Sequence, residues 1–139
     1  MDDQFDLHRF VTAQLPVFDT ACQELRTGRK SSHWMWFIFP QIEGLGHSPM
    51  AHKFAISSLA EARAYLVHPL LGPRLLECSR LAAAVEDRSA EDIFGYPDYM
   101  KFQSCMTLFA KAAPQHQVFD DCLQKYFGGL ADAATLDKV

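Results

Sequence analysis

Apolar residues recur at helical intervals along most of the chain. Leu7, Phe10 and Val11 stand at i, i+3 and i+4 and predict a helix over about residues 4–13. Phe18, Cys22 and Leu25 continue the pattern after Pro16, whose missing N–H suits a first helical turn. Gly28 is placed to end this second helix, of about 16–27. Ala51 to Ile56 reads as a further turn or two. Ser58, with Glu61 three residues later, has the capping-box spacing. Leu59, Ala62, Tyr65 and Leu66 form the apolar face of the helix it opens, and Pro69 stops it. Leu71, Leu75, Cys78, Ala82 and Val85 alternate steps of four and three, one face of a helix from about 70 to 86. Ser89 and Asp92 repeat the cap signal before Ile93-Phe94, and Gly95 ends that turn. Tyr99, Phe102, Met106, Phe109 and Ala113 make another stripe, ended by Pro114. Phe119, Cys122, Leu123 and Tyr126 define the last helix, about 115–127, closed by Gly128-Gly129.

One segment departs from this pattern. Trp34-Met35-Trp36-Phe37-Ile38-Phe39 is a continuous apolar run between Ser31-Ser32 and Pro40. Periodicity alone leaves both a buried strand and a short buried helix open. No second strand-like run exists to pair with it, which favours the helix, with Ser31 or Ser32 as its cap. Gln41 to Pro49 holds Gly44, Gly46 and Pro49 and should be irregular. No repeat, low-complexity tract or linker interrupts the chain. The expectation is one compact all-α domain over residues 1–139, with six to eight helices.

Composition supports a packed core. Of 139 residues, 49% are hydrophobic and 22% charged, which is not the signature of a disordered chain. The longest strongly apolar run is far short of the roughly 20 residues that a membrane-spanning helix needs. Met1-Asp2-Asp3-Gln4 is acidic and lacks the basic-then-apolar pattern of a signal peptide, so a cytoplasmic location is expected. Cys22, Cys78, Cys105 and Cys122 form no C-x-x-C pair, and each falls on an apolar helical face, as buried reduced thiols do. The net charge of -4 disfavours general nucleic-acid binding.

No high-specificity enzyme signature is present: no phosphate-binding loop, dinucleotide fingerprint, nucleophile elbow or zinc-protease motif. His47 and His52 are off the i, i+4 spacing that presents two metal ligands on one helix face, and no metal or organic cofactor is indicated. The unusual cluster is Gly28-Arg29-Lys30-Ser31-Ser32-His33-Trp34-Met35-Trp36. Arg26, Arg29 and Lys30 belong to a stretch from Arg26 to Ile42 without a carboxylate. If Ser32 caps a helix starting near His33, free backbone N–H groups point where Arg29 and Lys30 place positive charge, the physics of a phosphate or carboxylate site. Trp36 would stack on a planar group. His33 supplies an imidazole, the side chain most often used as a general acid or base. Asp98, if it faces this segment, is the best carboxylate partner for His33 or Arg29, and Lys101 from the same helix joins the ligand-binding set. The plainer alternative is that the Trp residues anchor the core and the cations solvate a turn.

These residues carry a resemblance. The chain resembles the bacterial domain-of-unknown-function family with serial number 1810, whose members often carry the label calpastatin. The match runs through Phe5-Asp6-Leu7-x-Arg9-Phe10-Val11, residues 28–41 from Gly28 to Gln41, and Gly44-Leu45-Gly46-x-Ser48-Pro49-Met50-Ala51. It continues in Glu61-Ala62-x-Ala64-Tyr65-Leu66, His68-Pro69-x-Leu71-Gly72-Pro73-Arg74-Leu75, Ile93-Phe94-Gly95, Asp98, Lys101, Ser104 and Met106-Thr107-Leu108-Phe109. Phe18 and Phe54 stand where the family is associated with Tyr, and Cys105 where it is associated with Ser. The resemblance implies an all-α fold of the α-α superhelix type and implies no activity. Calpastatin proper is a disordered inhibitor, whereas this composition is that of a packed globule.

Two functions are expected. The first is a protein that binds a small anionic, phosphate-bearing, nucleotide-like metabolite, with Arg29, Lys30, Ser32, Trp36 and Lys101 binding and His33 and Asp98 as candidate catalytic groups for hydrolysis or transfer. The second is a non-enzymatic interaction module, in which exposed apolar residues of Trp34–Phe39 line a helical groove for a protein partner.

Overall fold

A computed structural model describes residues 3–139 of the protein; the Met1-Asp2 start of the acidic N-terminus lies outside the described residues. Ten helical segments succeed one another: α1 (His8–Gln14), α2 (Phe18–Thr27), α3 (Met35–Ile38), α4 (Pro49–Lys53), α5 (Leu59–Val67), α6 (Leu71–Ala84), α7 (Ala90–Phe94), α8 (Asp98–Ala112), α9 (Gln117–Phe127) and α10 (Ala133–Leu136). Six of them have seven residues or more; α3, α4, α7 and α10 are single turns. The apolar run resolves as helix α3, not a strand. The loop after it is irregular except at Ile42, which forms a lone parallel bridge with Ile56.

Helices α5, α6, α9 and α8 touch in a closed cycle, and the shorter elements cover its outside: α2 on α6, α7 and α10 on α8, α1 on α3. Helix α8 is buried on nearly every face, with Phe102, Ser104, Cys105, Met106, Thr107, Leu108, Phe109 and Ala112 enclosed. The burial extends well beyond the single stripe of Tyr99, Phe102, Met106, Phe109 and Ala113 that the spacing predicts. All four cysteines are buried, and burial pushes each thiol upward, Cys122 to about 12. Between α5 and α6 the chain turns so tightly that a Cβ on Gly72 would lie 2.0 Å from the Leu66 carbonyl oxygen.

Both local caps and long-range polar contacts fasten the helix ends. His68 Nδ1 accepts the N–H groups of Leu70 (3.1 Å) and Leu71 (3.2 Å) at the start of α6. At the other end of α6, Tyr126 donates to the Ala82 carbonyl at 2.6 Å, and Lys125 donates to Ala83 and Val85. Ser58 caps α5 as its spacing predicts, but Glu61 does not reciprocate. Its carboxylate accepts Ser57 N–H and hydroxyl and the Arg9 guanidinium (2.9 Å). Arg9 also donates to the Phe5, Asp6, Lys53 and Ala55 carbonyls, tying the N-terminal turn to the bridge region.

Two aromatic contacts of Phe39 fix α8 and α7 relative to α3. Phe39, immediately after α3, packs edge-on against Phe102 of α8 (ring centroids 5.1 Å) and against Phe94 of α7 (5.9 Å). Phe102 lies four residues after Asp98 and next to Lys101. Its burial therefore sets the first turn of α8 against the segment leading into α3. The apolar run itself is core: Trp34, Met35, Ile38 and Phe39 are buried, and only Trp36 and Phe37 are half-buried. The exposed docking patch expected there does not form, because four of its six apolar side chains turn into the core and α1 and α6 pack on α3.

Candidate functional site

The turn after α2 begins with a Schellman motif. Gly28 takes a left-handed conformation (φ 77°) and donates to the Leu25 carbonyl at 3.1 Å, and Arg29 N–H donates to the Glu24 carbonyl at 3.0 Å. The motif folds the chain back over the last turn of α2, where Glu24 projects. The Glu24 carboxylate then gathers five donors: Ser31 N–H (2.9 Å) and hydroxyl (3.1 Å), Ser32 N–H (3.0 Å) and hydroxyl (2.6 Å), and the Trp34 indole N–H (2.9 Å). Partial burial works to raise its pKa, yet the donors from Ser32, Ser31 and Trp34 outweigh it and hold the carboxyl at about 2.

This arrangement corrects the anion site expected from the sequence. The backbone and hydroxyl donors do converge, but on an internal carboxylate. Ser32 does not cap α3. That helix starts at Met35, with Trp34 at the N-cap position and no side-chain cap. Trp34 is core, fully buried, with its polar edge on Glu24. The expected carboxylate-free stretch opens at Arg26, two residues after the group that organises it.

Asp98 does face the segment, but its partners are not His33 or Arg29. Lys30 Nζ lies 2.8 Å from Asp98 Oδ2, and Lys101 Nζ lies 3.3 Å from Oδ1. Lys30 is the fixed member. Its side chain is 7% exposed, its ammonium also donates to the Ser32 carbonyl at 2.6 Å, and its backbone N–H binds the Ile93 carbonyl. Lys101 is the looser one, 25% exposed and stationed over the Trp36 ring, 5.0 Å from its centroid. Arg29 and His33 are exposed, and among the described residues their side chains make no hydrogen bond or ion pair. No acid–base pair of His33 with Asp98 is assembled.

Two depressions meet beside Lys101. The inner one, lined by Trp36, Phe39, Ile42, His52 and Phe54 among others, holds only about 10 Å³, room for a single water. The outer one, about 290 Å³, is walled by Leu45, Tyr96, Pro97, Met100, Ser104 and Asp132. Gln41, Gly46 and Lys101 line both. The Ile42–Ile56 bridge sets this seam: Ile56 N–H donates to the Gln41 carbonyl and Glu43 N–H to the Ile56 carbonyl, both at 2.8 Å. With Ile42 turned into the core, strand-like alternation sends the Gln41 side chain the other way. Gly46 is needed in the wall, since a Cβ there would come within 2.5 Å of the Ala51 Cβ. Asp132 is tied to the fold through one oxygen: Oδ2 accepts the Ser104 hydroxyl and both the N–H and hydroxyl of Thr135, capping α10. Among the described residues, the Gln41 carboxamide and the Trp36 indole N–H have no hydrogen-bond partner.

The sequence flagged Lys101 and Trp36 but missed Glu24 and Gln41. A signal for Glu24 exists: it lies four residues before a helix-ending glycine, the position a Schellman turn folds back upon. Gln41 carries no local signal beyond its place after Pro40.

All described elements form one all-helical domain, and no helix among them is long and apolar enough to cross a membrane. The chain belongs to the family described as a protein of unknown function, DUF1810, whose model matches residues 4–139. It is similar to the conserved hypothetical protein Rv1873 from Mycobacterium tuberculosis, known from a crystal structure. The two share 56% sequence identity with a TM-score of 0.96, over 97% of this chain and 96% of that one. No curated protein matches the chain.

Proposed function

We propose that the protein binds a small anionic, nucleotide-like ligand in the outer cleft, with Lys101 as its cation. The observation that carries this reading is the division of labour around Asp98. Lys30 neutralises that carboxylate through the shorter contact, which leaves Lys101 as a displaceable charge above an aromatic face at the mouth of a cleft. An anion entering the cleft competes with Asp98 only for the longer, more exposed contact. At about 290 Å³ the cleft is close to the lower end of the usual ligand range of about 300–1,000 Å³, which suits one ring and one phosphate. The proposal is of binding. Arg29, His33 and Ser32, the other members of the expected site, take no part in it.

The test is a thermal-shift series with nucleoside monophosphates and simple phosphates at fixed ionic strength. A ligand at 100 times its Kd adds about 2.7 kcal/mol, on the order of 10 °C in Tm for a domain of this size. The shift should vanish in Lys101→Ala and persist in Arg29→Ala. No shift with any of these anions, or an undiminished shift in Lys101→Ala, defeats the reading.

A further inference from the structure

We infer that Gln41 is a specificity-determining residue of this cleft, selecting phosphates whose ring carries a hydrogen-bond donor beside an acceptor. The inference rests on the proposed anion reading of Lys101 and names what that anion is attached to. Gln41 is held by its backbone, not its side chain: the bridge to Ile56 uses its carbonyl, and the carboxamide has no partner among the described residues. The half-buried Gln41 carboxamide lines both depressions with Lys101 and is committed to no other protein group, whereas Ser104 of the same wall is bonded to Asp132. A carboxamide presents one donor edge and one acceptor, and it forms two parallel hydrogen bonds with an edge that offers the reverse pair. Nucleobases and carboxamide-bearing rings have such an edge; a phenyl ring does not.

The remainder of the cleft fits a flat heteroaromatic ring. Tyr96 (75% exposed) and Met100 (48% exposed) stand open at its rim with Pro97 and Leu45, offering apolar surface to ring faces. A phenyl ring would use the apolar rim alone, whereas a heteroaromatic ring can also meet the Gln41 carboxamide. The two groups share the seam between the depressions, so a ring edge on Gln41 and an anion on Lys101 belong to one small molecule.

The experiment compares adenosine monophosphate with phenyl phosphate by calorimetry on the full chain, for the wild type, Gln41→Met, Gln41→Ala and Lys101→Ala. The wild type should bind the nucleotide about tenfold more tightly than phenyl phosphate. Both Gln41 variants should abolish that preference while leaving phenyl phosphate affinity within about twofold, which also shows that the cleft has kept its shape. A wild type without preference, a preference that survives both Gln41 variants, or an equal loss of both ligands in them overturns the inference while Lys101-dependent binding still stands. Absence of any Lys101-dependent binding overturns the inference and the reading beneath it together.

Discussion

The turn from Glu24 to Trp34 and the cleft beside Lys101 use the same kinds of residue for opposite ends. Both set hydroxyls, cations and an indole around a carboxylate. In the turn the inward-facing donors are consumed: five of them converge on Glu24, and Lys30 closes on Asp98 and the Ser32 carbonyl, while Arg29 and His33 point to solvent. In the cleft the equivalent groups stay loose, with Lys101 on a longer contact and Gln41 unpaired. Chemical type therefore does not distinguish a binding site from a fastening. The difference lies in whether a neighbour supplied by the fold has already claimed the group. Polar groups that the fold has not claimed, at a concave surface, are the ones free to meet a ligand.

The sharpest challenge to this contrast is to empty the turn. Glu24→Ala strands the indole N–H of a fully buried Trp34 and frees four donors of the loop. It should cost about 3 kcal/mol, lowering Tm by on the order of 10 °C, as measured by calorimetry. Glu24→Gln should cost less and serves as the control for pH. Because the folded state holds Glu24 at about 2 against an ordinary 4.5, its contribution is present above about pH 4.5 and lost as pH falls toward 2. An acid titration of stability should show that loss in the wild type and a smaller one in Glu24→Gln.

Next in size is Lys30→Met, which keeps the packing but removes the fixed partner of Asp98. A loss of about 2 kcal/mol is expected from chemical denaturation, since Lys30 is nearly buried. The same variant should weaken anion binding several-fold, because Asp98 then holds Lys101 alone. Lys101→Ala reverses the balance. It should cost about 0.5 kcal/mol in stability, as an exposed pair does, while removing ligand-dependent thermal shifts. Smallest of all are Arg29→Ala and His33→Ala. Both side chains are exposed and unpartnered among the described residues, so each should stay within about 0.5 kcal/mol of the wild type. An effect of either on ligand affinity would return the site to the turn.

The helical architecture was legible in the chain because it depends on spacing that neighbours in sequence supply. The four-and-three pattern of Leu71, Leu75, Cys78, Ala82 and Val85 is α6, and the Ser89–Asp92 capping box is complete in the structure. Boundaries slipped where a capping side chain, rather than the apolar pattern, fixes the helix start. Helix α1 begins at His8 rather than near residue 4, because Asp3 caps the N–H groups of Leu7 and His8. Helix α10 lacks an apolar stripe and rests on the Asp132 cap. Phe102 shows the same limit. Its place in a stripe is evident in the chain, but its contact with Phe39, across more than sixty residues, is not.

Periodicity, composition and cap chemistry were enough to specify an all-helical domain with buried cysteines and a dense polar–aromatic segment after α2. These signals act over a few residues, so the chain carries them without its fold. Which polar groups are spent was settled by packing alone. Glu24 meets Ser31, Ser32 and Trp34 because a left-handed Gly28 reverses the chain. Asp98 meets Lys30 because Phe39 and Phe102 pack together, and Gln41 points outward because Ile42 pairs with Ile56. A hydrogen bond or ion pair is settled within about 3 Å, a scale fixed by the packing of distant segments, so the same residue types became a fastening in one place and an open cleft in the other.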